Sequence, residues 1–303
     1  MEDSSKNIGK ITSAFGKTGI VEPTDGGRLY FLVKSQKLKP VVGDNVHWNK
    51  QNDGTIVVTK IMEPNNQLER LNQYGQQQII ASNVTQILLI TAPLPKPNFL
   101  LIDKFILISE LMECDLSIVF NKVDLVEKSD SEFELYQKLG YPVIKISAKE
   151  KINLNPLFNL LDQQTTVLVG QSGVGKSTII NLLISKDKIR TEALSNKNQK
   201  GKHTTSTSTM HAVEDKGYLI DTPGIENLNP KILDIKEIET GFREISSLSC
   251  ECRYRDCIHI NEPNCAVNRA LTKNEIATQR YRNYKKLVDG FQSFYVCWKA
   301  ENV

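Results

Sequence analysis

No apolar run in this 303-residue sequence approaches the ~20 residues that a membrane-crossing helix requires. Runs such as Thr85–Ala92 and Thr166–Gly170 are far shorter, so no membrane partner is expected. The opening residues Met1-Glu2-Asp3-Ser4-Ser5 lack both the basic start and the apolar stretch of a secretory leader, so a cytoplasmic protein is expected. A strong charge bias is also missing. The 38 Lys and Arg against 35 Asp and Glu leave a formal charge of +3, too little by itself to establish a nucleic-acid partner. Neither an internal repeat nor a long low-complexity tract occurs, apart from the Ser/Thr-rich Thr204–Thr209. With 40% hydrophobic and 24% charged residues, the composition excludes collagenous, mucin-like and mainly disordered chains.

What remains is a globular chain long enough for two or three domains. Residues 8–63 alternate β-rich runs (Lys10–Thr12, Gly19–Val21, Arg28–Val33, Asn45–Trp48, Thr55–Ile61) with turns at Asp25-Gly26-Gly27, Gly43-Asp44 and Asp53-Gly54. Five short strands without helical periodicity fit a small OB-type β-barrel, placed at residues 1–65. From Asn66 strands alternate with helical stretches, the pattern of an α/β unit with a parallel sheet, placed at 66–230. Its expected strands are Gln86–Thr91, Leu116–Phe120, Val143–Ile146, Thr166–Val169 and Tyr218–Ile220, with helices near Leu100–Met112, Ser131–Leu139 and Lys176–Leu183. Residues 231–303 carry a Cys/His cluster and a helical stretch at Asn274–Phe291, forming a third, mostly helical domain.

Gly170-Gln171-Ser172-Gly173-Val174-Gly175-Lys176-Ser177 follows an apolar strand and opens a helix with Thr178, the context a phosphate-binding P-loop needs. Its glycines let amides turn toward phosphate oxygens, Lys176 reaches the β- and γ-phosphates, and the Ser177 hydroxyl ligates Mg²⁺. The choice of base falls to Asn121-Lys122-Val123-Asp124. The Asp124 carboxylate can accept from guanine N1–H and the 2-amino group, donors that adenine lacks. Ser147-Ala148-Lys149, after another strand, can offer an amide to guanine O6. Asp221-Thr222-Pro223-Gly224 ends a further strand, where Asp221 would hold Mg²⁺ through water and the Gly224 amide would meet the γ-phosphate. Thr204 or Thr205, between these elements, supplies the first-switch threonine to Mg²⁺, with the choice between them open. A P-loop kinase is the rival enzyme class, disfavoured by Asp124 and by the switch-like Asp221–Gly224.

Asp124 and Lys149 precede Gly170, the reverse of the usual GTPase order, so the sequence reads as a circularly permuted P-loop GTPase. Each motif ends a parallel strand, and the same crevice forms whichever strand comes first. These residues, with the N-terminal β-domain, Gly201-Lys202-His203-Thr204-Thr205 and the C-terminal Cys/His cluster, closely resemble the ribosome small-subunit-dependent GTPases (the RsgA, YjeQ or YloQ family) over nearly the whole chain. The resemblance implies an OB domain, a permuted GTPase domain and a zinc domain acting in late maturation of the 30S subunit. One departure from Ras-like chemistry stands out. Ile225 occupies the place of the water-orienting glutamine. His203 is the nearest candidate to replace it, a role proposed for the corresponding histidine of the family; a merely solvated histidine is the alternative.

Cys252-x4-Cys257-x-His259-x5-Cys265 offers three thiolates and an imidazole, enough to close a structural zinc site of one ion. Cys250, with a single residue between it and Cys252, is poorly spaced to join it, and the family pattern also selects Cys252. Lys186, Lys188, Arg190, Lys197, Lys200, Lys202 and His203 face only Asp187 and Glu192 in the same stretch. With the barrel, the basic and aromatic Arg280–Lys286 and the family resemblance, this points to rRNA contact. The expected partners are therefore GTP or GDP and the 30S subunit with its rRNA, and a monomer is expected. A GTP-regulated RNA-binding module with incidental hydrolysis is the alternative to a ribosome-stimulated GTP hydrolase.

Overall fold

The computed structural model describes residues 7–71, 76–126, 133–184, 208–213, 216–222, 228 and 230–301, with backbone only at 71 and 294–301. The Gly- and Asp-rich turns of the N-terminal segment cut it into five strands: β1 (Ile8–Phe15), β2 (Thr18–Pro23), β3 (Leu29–Leu32), β4 (Asn45–Lys50) and β5 (Ile56–Ile61). They pair in the closed order β1-β2-β3-β5-β4, with β4 returning to β1 and β3–β5 the one parallel pair among them. Alternate residues point inward, so Ile11, Val21, Phe31, Val46, Ile56 and Val58 fill the barrel with a core of its own.

A hairpin of β6 (Gln67–Leu71) and β7 (Gln77–Ser82) follows, which the sequence pattern did not announce. Its strands are largely polar, and Leu68 and Ala81 are the apolar residues that it buries fully. So little burial leaves no alternating pattern to detect.

The central sheet runs β10-β9-β8-β11-β13-β12. Its strands β8 (Gln86–Thr91), β9 (Asp115–Phe120), β10 (Val143–Lys145), β11 (Thr165–Gly170) and β13 (Gly217–Asp221) are mutually parallel, while β12 (Thr209–Val213) lies antiparallel to β13. β8 and β11 are buried along their whole length, as strands covered on both faces must be. One face packs on α1 (Phe99–Leu111), whose first turn is capped by Asn98 Oδ1 accepting from Leu101 N at 3.2 Å. The other packs on α3 (Asn155–Leu160) and α4 (Lys176–Leu183). The helix expected near Ser131–Leu139 is α2 (Glu134–Lys138).

β12 was hidden in sequence because it begins at the end of the Ser/Thr-rich stretch. It does more than close the sheet. Its Thr209 pairs with Ser13 of β1, so barrel and central sheet form one continuous eleven-stranded sheet.

The C-terminal part consists of a 3₁₀ segment (Ile235–Gly241), α5 (Arg243–Ser249), α6 (Ala266–Thr272) and α7 (Thr278–Glu301), longer than its apolar pattern suggested. Its core of Ile238, Phe242, Ile245, Val267 and Val288 includes Leu107 of α1 and is therefore shared with the central unit. Among the described residues no helix is long and apolar enough to cross a membrane.

Candidate nucleotide and metal sites

Because β8, β9, β10, β11 and β13 are parallel, the loops after them gather at one edge of the sheet. Gly170 adopts φ +141° and Gly175 φ +99°. A Cβ at the first would collide with Ile90 O, and one at the second with Asn121 Nδ2, so glycine is required at both. Ser172 is exposed in the loop and Ser177 and Thr178 at the head of α4, while Val174 is fully buried and anchors the loop. The Lys176 ammonium is hydrogen-bonded to Gly170 O and Gln171 O, both at 2.7 Å.

Asn121 is almost fully buried and spans two loops: Nδ2 donates to Val174 O at 2.9 Å, and Oδ1 accepts from Ala148 N at 3.0 Å. Lys122, at φ +62°, donates to Gly173 O at 2.6 Å and to Leu94 O at 3.0 Å. Both residues thus fasten the P-loop. Val123 and Asp124 lie in a short 3₁₀ turn (Val123–Leu125), where Asp124 is exposed and available to a base edge. Ser147 is buried and its hydroxyl accepts from Glu150 N at 3.1 Å, while Lys149 is exposed and paired with Glu150.

Asp221 ends β13 directly opposite Thr209. Burial pushes its carboxyl above the ordinary aspartate range, and the charges of His211 and Lys176 oppose that rise. The hydroxyls of Thr91, which ends β8, and of Thr222, next after Asp221, are buried with no partner among the described residues. His203, Thr204, Thr205, Gly224, Ile225 and the basic loop Lys186–Lys202 lie outside the described residues.

Sequence reasoning missed Asn98 and the Pro93–Pro97 loop. Asn98 N donates to Gln171 Oε1 at 3.0 Å, and Pro95 lies beside Gly173. The available signal was a Pro-rich loop immediately after a strand of the parallel sheet.

In the C-terminal unit the ligand atoms of Cys252, Cys257, His259 and Cys265 all lie within 4.8 Å of one another. Cys252 Sγ is 3.8 Å from Cys265 Sγ, and His259 Nδ1 is 3.4–3.5 Å from the three sulfurs. A zinc tetrahedron with bonds of about 2.3 Å to sulfur and about 2.0–2.1 Å to nitrogen has S–S edges of about 3.8 Å and N–S edges of about 3.5 Å. The residues therefore fit zinc in both chemistry and spacing. Burial pushes the Cys257 thiol up to about 12, while for Cys252 the same burial is outweighed by hydrogen bonds, first from Ala266 N–H, that hold it below the ordinary thiol value. Cys250 is exposed and turned to Ser247 O, outside the cluster. Cys114 is half-buried, and the side chain of Cys297 lies outside the described residues.

A P-loop and guanine-type loops on one sheet edge, in permuted order and flanked by a β-barrel and a Cys/His-bearing helical unit, define a circularly permuted GTPase. The chain belongs to the RsgA GTPase family, whose model matches residues 61–231. It is 35% identical over 295 residues to the small ribosomal subunit biogenesis GTPase RsgA of Alcanivorax borkumensis, covering 93% of this chain and 83% of that protein. The protein of the same name from Histophilus somni is 36% identical over 289 residues, covering 92% and 83%. Among solved structures, YjeQ from Thermotoga maritima superposes with a TM-score of 0.74 at 28% identity, covering 94% of this chain and 98% of that one. YloQ, described as a circularly permuted GTPase, gives 0.74 at 25% identity, covering 95% and 96%.

Proposed function

We propose that the protein hydrolyses GTP to GDP and phosphate in the biogenesis of the small ribosomal subunit, with 30S particles and their rRNA as partners and stimulators. The observation that carries the nucleotide reading is Asn121, which ties the P-loop at Val174 to the Ala148 loop and so holds the phosphate and base ends of one crevice in register. The ribosomal role is supported by the names of the relatives above. We place the barrel at residues 1–65, the GTPase unit at 66–230 and the zinc unit at 231–303, and expect a monomer in the cytoplasm.

In this reading Asp124 accepts from guanine, and the Ser147–Lys149 loop faces O6. The amides of Gly170–Ser177 with the Lys176 ammonium hold the phosphates. Ser177 and Asp221, with Thr204 or Thr205, would hold Mg²⁺, which would offset the negative charge that develops on the phosphates. Ile225 cannot orient water, so hydrolysis by the chain alone is slow and contact with the subunit brings a group such as His203 into place. The basic stretch before Thr204 is positioned in sequence to answer rRNA phosphates.

Turnover measured with and without 30S subunits tests this. Large stimulation supports it, and its absence favours the regulated RNA-binding module. Asp124→Asn tests the base pocket separately. It places a donor against the guanine amino group, so GTP binding weakens by about 2 kcal/mol, the worth of a charge-assisted hydrogen bond, and xanthosine triphosphate gains. An unchanged preference for GTP refutes the assignment.

A further inference from the structure

The four-residue Cys/His cluster has a partner that no ligand spacing reveals. His259 turns Nδ1 toward the three sulfurs and Nε2 toward Glu239 Oε1, 3.1 Å away. His259 is fully buried and Glu239 is 7% exposed, so the contact is screened from water. An imidazole that serves a metal through one nitrogen must carry its proton on the other, and a buried carboxylate against that nitrogen fixes the tautomer and the ring plane. Glu239 does not stand alone. Lys236 donates to the same oxygen at 2.8 Å and also to Cys257 O, so one lysine neutralises the carboxylate and ties it to a second ligand loop.

Glu239 belongs to the 3₁₀ segment Ile235–Gly241, twenty residues upstream of the histidine. That segment also rests on α1 of the central unit. Gly241 lies so close to Leu107 that a Cβ would overlap it, and Gly241 O accepts from Arg280 Nη2 at 2.9 Å while Arg280 Nη1 grips Asp103 of α1 at 2.7 Å. One short segment therefore touches the metal cluster at Glu239 and the GTPase unit at Gly241.

We propose that Glu239 is the positioning carboxylate of the zinc site: from a segment that also rests on α1, it holds His259 in the metal-binding tautomer. The proposal rests on the zinc reading of the four ligands and adds to it a residue outside the cluster. Glu239→Ala removes the acceptor. Glu239→Gln keeps an oxygen for the histidine N–H but loses the charge. Glu237→Gln alters the same segment at a side chain that accepts from Leu233 N and does not touch the histidine.

The experiment follows zinc release from full-length protein to a chromophoric chelator, with Co²⁺ spectra of the three variants alongside. Glu239→Ala is expected to weaken metal retention about 10–100-fold and to shift the Co²⁺ ligand-field bands. Glu239→Gln recovers part of that loss, and Glu237→Gln behaves as the parent. Parent-like release from Glu239→Ala overturns the proposal, as does equal loss from Glu237→Gln, which marks a general effect on the segment. A parent protein that holds no stoichiometric zinc overturns the metal reading itself, and this inference with it.

Discussion

The barrel and the C-terminal unit are fastened to the same GTPase core in opposite ways. The C-terminal unit is held by buried charge. Arg280 of α7 is fully buried and binds Asp103 at 2.7 Å, Glu244 at 2.6 and 3.0 Å and Gly241 O at 2.9 Å, with its guanidinium 4.3 Å from the centre of the Phe242 ring. Asn283 and Tyr136 complete the shell of Asp103 at 2.6 and 2.9 Å. Burial drives the Asp103 carboxyl upward and Arg280 pulls it back; burial alone would depress Arg280, yet Glu244 and Asp103 hold it above its usual value. The barrel, by contrast, has its own core and meets the central unit through backbone bridges, polar side chains and the buried Val42, which enters the central core. Val42 bridges to Ala81, Ser82 N donates to Val42 O at 2.9 Å, and Ser13 pairs with Thr209. A shared core makes the first attachment part of folding. A largely separate core makes the second closer to a docking of preformed parts, and Thr209 lies between the barrel's Ser13 and the Asp221 that ends β13.

The largest test breaks the charged attachment. Arg280→Met leaves the buried Asp103 and the partly buried Glu244 without their partner, a loss of about 3–5 kcal/mol. Urea unfolding should show it as a large fall in midpoint, with the C-terminal helices melting first. A fall no greater than that of an exposed Arg-to-Met change would show that water reaches the network.

Removal of zinc comes next, by chelation or by Cys257→Ala. Thiol crowding without the cation loosens the loops from Cys252 to Cys265, and because Leu107 lies in the same core, the loosening reaches α1. Hydrogen exchange should rise in the C-terminal unit and along α1 while the barrel strands stay protected. Equal exchange gains in the barrel would contradict the division between shared and separate cores.

The contrast also explains what the sequence disclosed. The P-loop, Asn121–Asp124 and the Cys/His spacing were legible because their chemistry demands particular residue types at fixed intervals. The five barrel strands and the parallel sheet were legible from period and turns. The attachments were not. Arg280 read as part of a basic, aromatic helix, since nothing local tells a buried arginine from a solvated one, and Asp103 lies 177 residues away. Asn98 and Glu239 were equally silent, because the contact that ties each to its site, Asn98 N with Gln171 and Glu239 with His259, reaches a residue distant in the chain.

The backbone attachment can be broken at Gly43, which has φ +94° and whose Cβ would strike Ser82 O. Gly43→Ala should cost about 1–3 kcal/mol through the left-handed backbone alone, and the clash adds to it. Relief comes by parting the barrel from β7, so limited proteolysis should release an intact barrel before either part unfolds. Unchanged cleavage would show that the hairpin moves with the barrel.

The smallest effect concerns Asp44, beside that glycine. Its Oδ1 accepts from the Ser82 hydroxyl at 2.6 Å and its Oδ2 from Val41 N at 2.8 Å. Burial nevertheless holds the carboxyl above the ordinary aspartate value, against the lowering by those two bonds. A folded-state pKa above the unfolded value of about 3.9 means that the group's stabilising contribution is complete below that value and lost as pH rises through the folded one. Asp44→Asn carries no charge, keeps an oxygen for Val41 N–H and can donate to the Ser82 hydroxyl. It should therefore be at least as stable as the parent at pH 7, and the gap should close as the pH falls toward 4. Asp44→Ala, which leaves Val41 N–H without its acceptor, should lose about 1–3 kcal/mol at either pH. Thermal melts of the three proteins at both pH values decide the matter: an Asn variant less stable than the parent at pH 7, with a deficit that shrinks on acidification, would mean that the ionised carboxylate strengthens this attachment.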